Sequence, residues 1–90
     1  MKVKVIRFTK NTINRMYWEL QVIEHDNKYI IWKAHWCKDG GEATEEVMEI
    51  VTKYVAEDFI IKNKKYLVET YHHEYDEQTK ILFETLNKHQ

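Results

Sequence analysis

The sequence predicts an α+β fold: a three-stranded antiparallel β-meander, one amphipathic helix packed on it, then a C-terminal hairpin, with strand plus helix as the other reading of the last part. Three observations lead there. The first forty residues are rich in β-branched and aromatic side chains in short runs. The only glycines, Gly40 and Gly41, divide that half from the rest. A stripe at helical spacing follows them.

The strands come first. Lys2 to Phe8 reads as a strand and Thr9 to Asn14 as a polar loop. Arg15 to Glu24 and Lys28 to Trp36 read as a hairpin around His25-Asp26-Asn27. Two registers compete. A two-residue turn at Asp26-Asn27 sets Leu20 opposite Lys33 and Trp18 opposite His35. A three-residue loop sets Val22 opposite Ile30, Leu20 opposite Trp32 and Trp18 opposite Ala34, all apolar. The second is the expected one, because a one-residue slip exchanges the two faces of a strand. It leaves Tyr17, Ile23, Tyr29 and Ile31 on the outer face, more rings and branched chains than water alone would cover.

The helix is expected from about Glu42 to about Phe59. Asp39 or Thr44 caps it, and Glu42, Glu45 and Glu46 suit the positive end of its dipole. Ala43, Val47, Ile50, Val51, Tyr54 and Val55 form its buried stripe. Lys65 to Tyr75 reads as a strand. Thr79 to Leu86 is its hairpin partner, or else a helix capped by Asp76 with Thr79, Leu82, Phe83 and Leu86 on one face.

Ninety residues suit a single domain spanning 1–90. One cysteine, Cys37, rules out an intrachain disulfide, and the reducing cytoplasm is the expected location. The charged N-terminus lacks the apolar core of a secretory signal, and no run approaches the roughly 18–20 apolar residues of a membrane span. The net charge is −1, but unevenly spread. Residues 1–15 carry Lys2, Lys4, Arg7, Lys10 and Arg15 with no acid, whereas residues 39–58 carry seven acids against Lys53.

Motifs for chemistry are weak. His72-His73-Glu74 with Asp76 and Glu77 is the densest set of metal-ligand types. Adjacent histidines on a strand face opposite ways, so no metal is expected. His35 and Cys37 can share one side of a strand. Yet the glutamates at the expected helix start oppose a thiolate there, as they oppose a phosphate at Gly40-Gly41. No enzyme activity and no cofactor are expected.

The expected function is a non-catalytic protein-binding module. Its style is that of a small inhibitor or accessory protein of viral or mobile-element type, directed against a defence enzyme or nuclease. The expected contact surface is an acidic helix face of Glu42, Glu45, Glu46 and Glu49, fitting a basic groove on a partner, with Tyr17, Tyr29 and Ile31 as a second surface. The alternative is a nucleic-acid-binding module using Lys2, Lys4, Arg7, Lys10 and Arg15 beside sheet aromatics. A homodimer through the outer sheet faces or the edge of the first strand is the third reading.

Overall fold

The computed structural model describes residues 1–88. Its element order is β1 (Lys2–Asn11), β2 (Met16–His25), β3 (Lys28–Cys37), β4 (Glu45–Val51), α1 (Lys53–Asn63), a 3-10 turn (Lys64–Tyr66), β5 (Leu67–Glu74) and α2 (Glu77–Lys88). The five strands form one antiparallel sheet in the order β4-β3-β2-β1-β5. The meander is present, but as the interior of a larger sheet. β1 is paired on both sides, so its edge is closed to a second copy of the chain.

The β2–β3 hairpin takes the register with the two-residue turn. Leu20 lies opposite Lys33, Trp18 opposite His35 and Val22 opposite Ile31. Asp26 and Asn27 both have positive φ, 48° and 61°. That is the twist a two-residue hairpin requires, and Asp and Asn tolerate it better than other non-glycine residues. The expected three-residue loop is therefore incorrect. It rested on one dry face per strand, whereas this sheet buries residues on both. Phe8, Ile6, Leu20, Val22 and Ile31 share one cluster with Ala56 of α1. Val3 and Val5, which alternate with Ile6 and Phe8, are buried as well. On their side His25 stands 6.0 Å from the Phe83 ring of α2. A strand covered on both faces has no polar side to set its register, so turn geometry decides.

The expected helix over 42–59 is incorrect in its first half. Residues 45–51 form β4, paired along β3 from Tyr29↔Val51 to His35↔Glu45. Val47, Ile50 and Val51 fit either a strand or a helical stripe. The outer edge of β3 decides, because its backbone groups need partners. Gly40 and Gly41, with φ of 94° and 101°, turn the chain back. A Cβ at either would meet nothing within 4 Å, so the constraint there is backbone conformation. The Thr44 amide then donates to the His35 carbonyl at 2.8 Å and starts the ladder. The helix begins only after Thr52, whose hydroxyl accepts from the Val55 amide at 3.2 Å. Ala56, Phe59 and Ile60 face the sheet, with the Phe59 ring edge-on to Phe8 at 5.9 Å. Tyr54, expected in the buried stripe, is 78% exposed.

At the C-terminus the strand is present and the hairpin is not. α2 follows β5, as in the other reading, and Thr79 and Phe83 are its buried residues. Asp76 caps it by accepting from the Thr79 amide at 2.9 Å. This bond, with the Thr79 hydroxyl, holds the Asp76 carboxyl below its ordinary value of 3.8. A folded-state value below the unfolded one stabilises the fold above the unfolded value, and that share is lost as pH falls through the folded value. Asp76→Asn keeps an acceptor but cannot titrate. It is expected to flatten the acid limb of the melting temperature below about pH 4 while leaving neutral stability nearly unchanged. An unaltered acid limb in thermal melts would refute the cap as its source.

Candidate functional site

On the α1 face the sheet extends beyond the helix and leaves an open cleft of about 350 Å³. Lys10 of β1, Trp18 and Leu20 of β2 and Lys33 of β3 line it from the sheet. Phe59 and Asn63 contribute from α1, and Glu45 and Val47 of β4 close it at the sheet edge. The residues come together because cross-strand pairing sets Trp18 beside both Lys10 and His35, and Lys33 beside both Leu20 and Val47.

The Trp18 ring stacks on His35, centroids 4.6 Å apart and planes within 17°. The imidazole lies within 3.3 Å of the Thr12 hydroxyl and 3.4 Å of the Thr44 hydroxyl. Lys33 Nζ lies 5.9 Å from the Phe59 ring centre and Lys10 Nζ 5.4 Å from that of Tyr66. Neither lysine is in an ion pair among the described residues. The cleft thus offers an apolar floor, two ammonium groups and the Glu45 carboxylate. Size and lining suit one side chain or small group of a partner.

The acidic residues expected on a helix face lie instead on and before the edge strand. Glu45 and Glu49 fall on the α1 face of β4, opposite His35 and Ile31, and Glu46 falls on the other face, opposite Ala34. Glu42 sits in the preceding loop, and all four are exposed. Glu46 accepts from Trp32 Nε1 at 2.9 Å. No ion pair involves any of the four among the described residues.

The second surface is divided. Tyr29 and Ile31 turn toward α1, where Ile31 is buried and Tyr29 packs on the core. Tyr17 pairs with Trp36 across β2 and β3 on the opposite face. The slip in register causes this division.

The N-terminal cations are also dispersed. Lys2 pairs with Glu74 at 2.6 Å, Lys4 with Glu24 at 4.0 Å and Arg15 with Asp39 at 2.8 Å. Arg7 reaches Glu19 and Glu69, each at 2.6 Å. Hydrogen bonds to Glu19 first and Glu69 second raise its pKa above the ordinary arginine value. Lys10 alone of the five enters the cleft. Sequence reasoning missed Trp18, Lys33 and Phe59 as its neighbours, because their convergence depends on the turn and on α1.

His72 and His73 pair with Lys4 and Val3, residues that alternate across β1, and so lie on opposite faces of β5. No group of three or more metal-ligand side chains is found among the described residues. Cys37 is a half-buried free thiol at the end of β3, and the next helix in the chain starts only at Lys53 instead of at the expected Glu42. No described helix is long and apolar enough to cross a membrane.

By geometry this is an α+β protein: an antiparallel five-stranded sheet with a helix on each face and a cleft beside one edge strand. Comparison with known proteins returned no matching family model, no matching curated protein and no matching solved structure.

Proposed function

We propose that this chain is a non-catalytic protein-binding module that takes an extended, basic segment of a partner protein along β4. The observation that supports the reading is the position of the acids. Glu45, Glu46 and Glu49 stand on an outer strand whose far edge pairs with nothing among the described residues, and the rim of the cleft is part of that strand. An added strand would gain main-chain hydrogen bonds from the free edge. Its basic side chains would meet carboxylates on both faces, and one side chain would enter the cleft over Trp18. Charge of this sign favours partners with basic surfaces and speeds encounter. In this reading the protein acts in the cytoplasm as a small inhibitor or accessory factor of viral or mobile-element type. It would cover a basic surface that its target uses for nucleic acid.

The test is capture of partners from host lysate by tagged wild-type protein and by the triple variant Glu45→Lys, Glu46→Lys, Glu49→Lys, with and without nuclease. The reading predicts a protein partner that survives nuclease and is lost by about tenfold or more in the variant, since reversing charges juxtaposes like charges at the contact. Retention by the variant would refute the acidic strand as the contact.

A second reading rests on Lys10 and Lys33 beside Trp18: binding of single-stranded nucleic acid in the cleft. It predicts capture that vanishes with nuclease and an affinity that falls steeply with salt.

A further inference from the structure

The two edges of the sheet are unlike. β4 carries three glutamates in seven residues, and such charges discourage pairing with the like-charged β4 edge of another copy. β5, LVETYHHE, has no lysine and no proline, and seven of its eight residues are exposed. Leu67, Val68 and Tyr71 are 48%, 52% and 40% exposed. Its only irregularity is a shift against β1 at Arg7/Phe8, which leaves Glu69 to Glu74 a regular strand. The regular part, Glu69 to Glu74, carries no lysine and no proline and is largely exposed, and an edge of that kind is a template for another strand.

We infer that the occupant of this edge is a second copy of the chain, paired antiparallel through β5 about a two-fold axis at Tyr71. The axis of such a pair stands perpendicular to the sheet and keeps each residue on its own face. Opposed residues therefore have numbers of the same parity. With the axis at Tyr71, Glu69 faces His73 of the second copy, twice by symmetry. With the axis at Thr70, Glu69 faces Tyr71. With the axis at His72, the two His72 residues face each other. An axis at His73 would oppose His72 and Glu74, but it pairs only residues 72 to 74 of the strand. Among registers that pair five or more residues of β5, the Tyr71 axis is the one that sets a carboxylate against an imidazole, and it does so beside Arg7, which already holds Glu69 at 2.6 Å. The Tyr71 rings meet at the axis, where aromatic cross-strand pairs add stability. Pairing β5 with β4 of another copy is heterologous and adds further copies as a ring or a filament, whereas β5 on β5 closes as a dimer. The sheet becomes ten-stranded, with a β4 edge free at each end.

Disulfide trapping in the full chain tests the register. In a Cys37→Ser background, Tyr71→Cys places two thiols on directly opposed residues, about 4.5–5.5 Å apart at Cα, within bridging range. Thr70→Cys places them on a diagonal at about 7–8 Å, beyond it. Under mild oxidation Tyr71→Cys is expected to run mostly as a dimer on a non-reducing gel and Thr70→Cys mostly as a monomer. Sedimentation of the wild type should show a dimer whose fraction rises with concentration. His73→Glu, which sets like charges opposite, should shift it to monomer, and His73→Lys should keep the dimer with unchanged circular dichroism. A wild type monomeric at millimolar concentration, equal cross-linking at 70 and 71, or identical behaviour of the two His73 variants would overturn the inference.

Discussion

Phe8→Ala is expected to lower the unfolding free energy by about 3–5 kcal/mol. The side chain is fully buried in β1, the strand that pairs on both sides. It touches the cluster of Ile6, Leu20, Val22 and Ile31 and meets Phe59 edge-on. Truncation removes the transfer energy of the ring and leaves a cavity under α1 that rigid strands close poorly. It also removes the edge-on contact with Phe59 of α1. The total stability of a chain of this length lies toward the lower end of about 5–15 kcal/mol, so the variant sits near its unfolding midpoint at room temperature. Urea titration followed by tryptophan emission measures it. Ile81→Ala, at a half-exposed position of α2, is the control and should change stability by less than about 0.5 kcal/mol. A Phe8→Ala loss no larger than the control would show that α1 and the sheet do not share one core.

The second large effect is expected from Arg7→Met, with a loss of roughly 2–4 kcal/mol. Arg7 lies between Glu19 and Glu69, and the Glu19 side chain is only 12% exposed. Methionine fills similar volume, so packing changes little. A largely buried carboxylate is left without its cation, which is costlier than losing an exposed pair. Adding Glu19→Gln should recover most of the loss, because an amide carries no charge to desolvate. The coupling in the double-mutant cycle separates charge from packing. If Arg7→Met and the double variant were equally unstable, the aliphatic stem of Arg7, not its charge, would matter.

The inner strands were legible in the sequence because their side chains carry the information: Val3, Val5, Ile6 and Phe8 cannot be left in water. That both Val5 and Ile6 are buried is the sign of a sheet covered twice, and that sign was present in the sequence. β5 was legible from Tyr, Val and Thr, and the Asp76 cap with its Thr79, Leu82, Phe83, Leu86 stripe foreshadowed α2. The register of β2 with β3 was misread because the apolar pairing argument assumes a single dry face.

β4 shows the other limit. Val47, Ile50 and Val51 satisfy period two and period 3.6 alike, and the glutamates before them suit a helix dipole as well as a solvated edge. What separates the states is the row of unpaired backbone groups along β3, and those groups have no signature in residues 45–51. The acidic surface therefore survives as a set of residues and changes its shape, from a ridge on a helix to two sides of a strand. The cleft is further from the sequence still, since Lys10, Trp18, Lys33, Glu45 and Phe59 belong to four strands and a helix.

By itself the sequence determined an α+β chain, the three inner strands, the Gly40-Gly41 break and which side chains are too apolar to expose. Burial and turn chemistry are local properties, written residue by residue. Only the tertiary structure decided the register at Asp26-Asn27, the strand state of 45–51, which strands form the two edges of the sheet, and the cleft. Each depends on satisfying backbone groups and covering faces with segments distant in the chain, and that preference is a property of the assembled sheet.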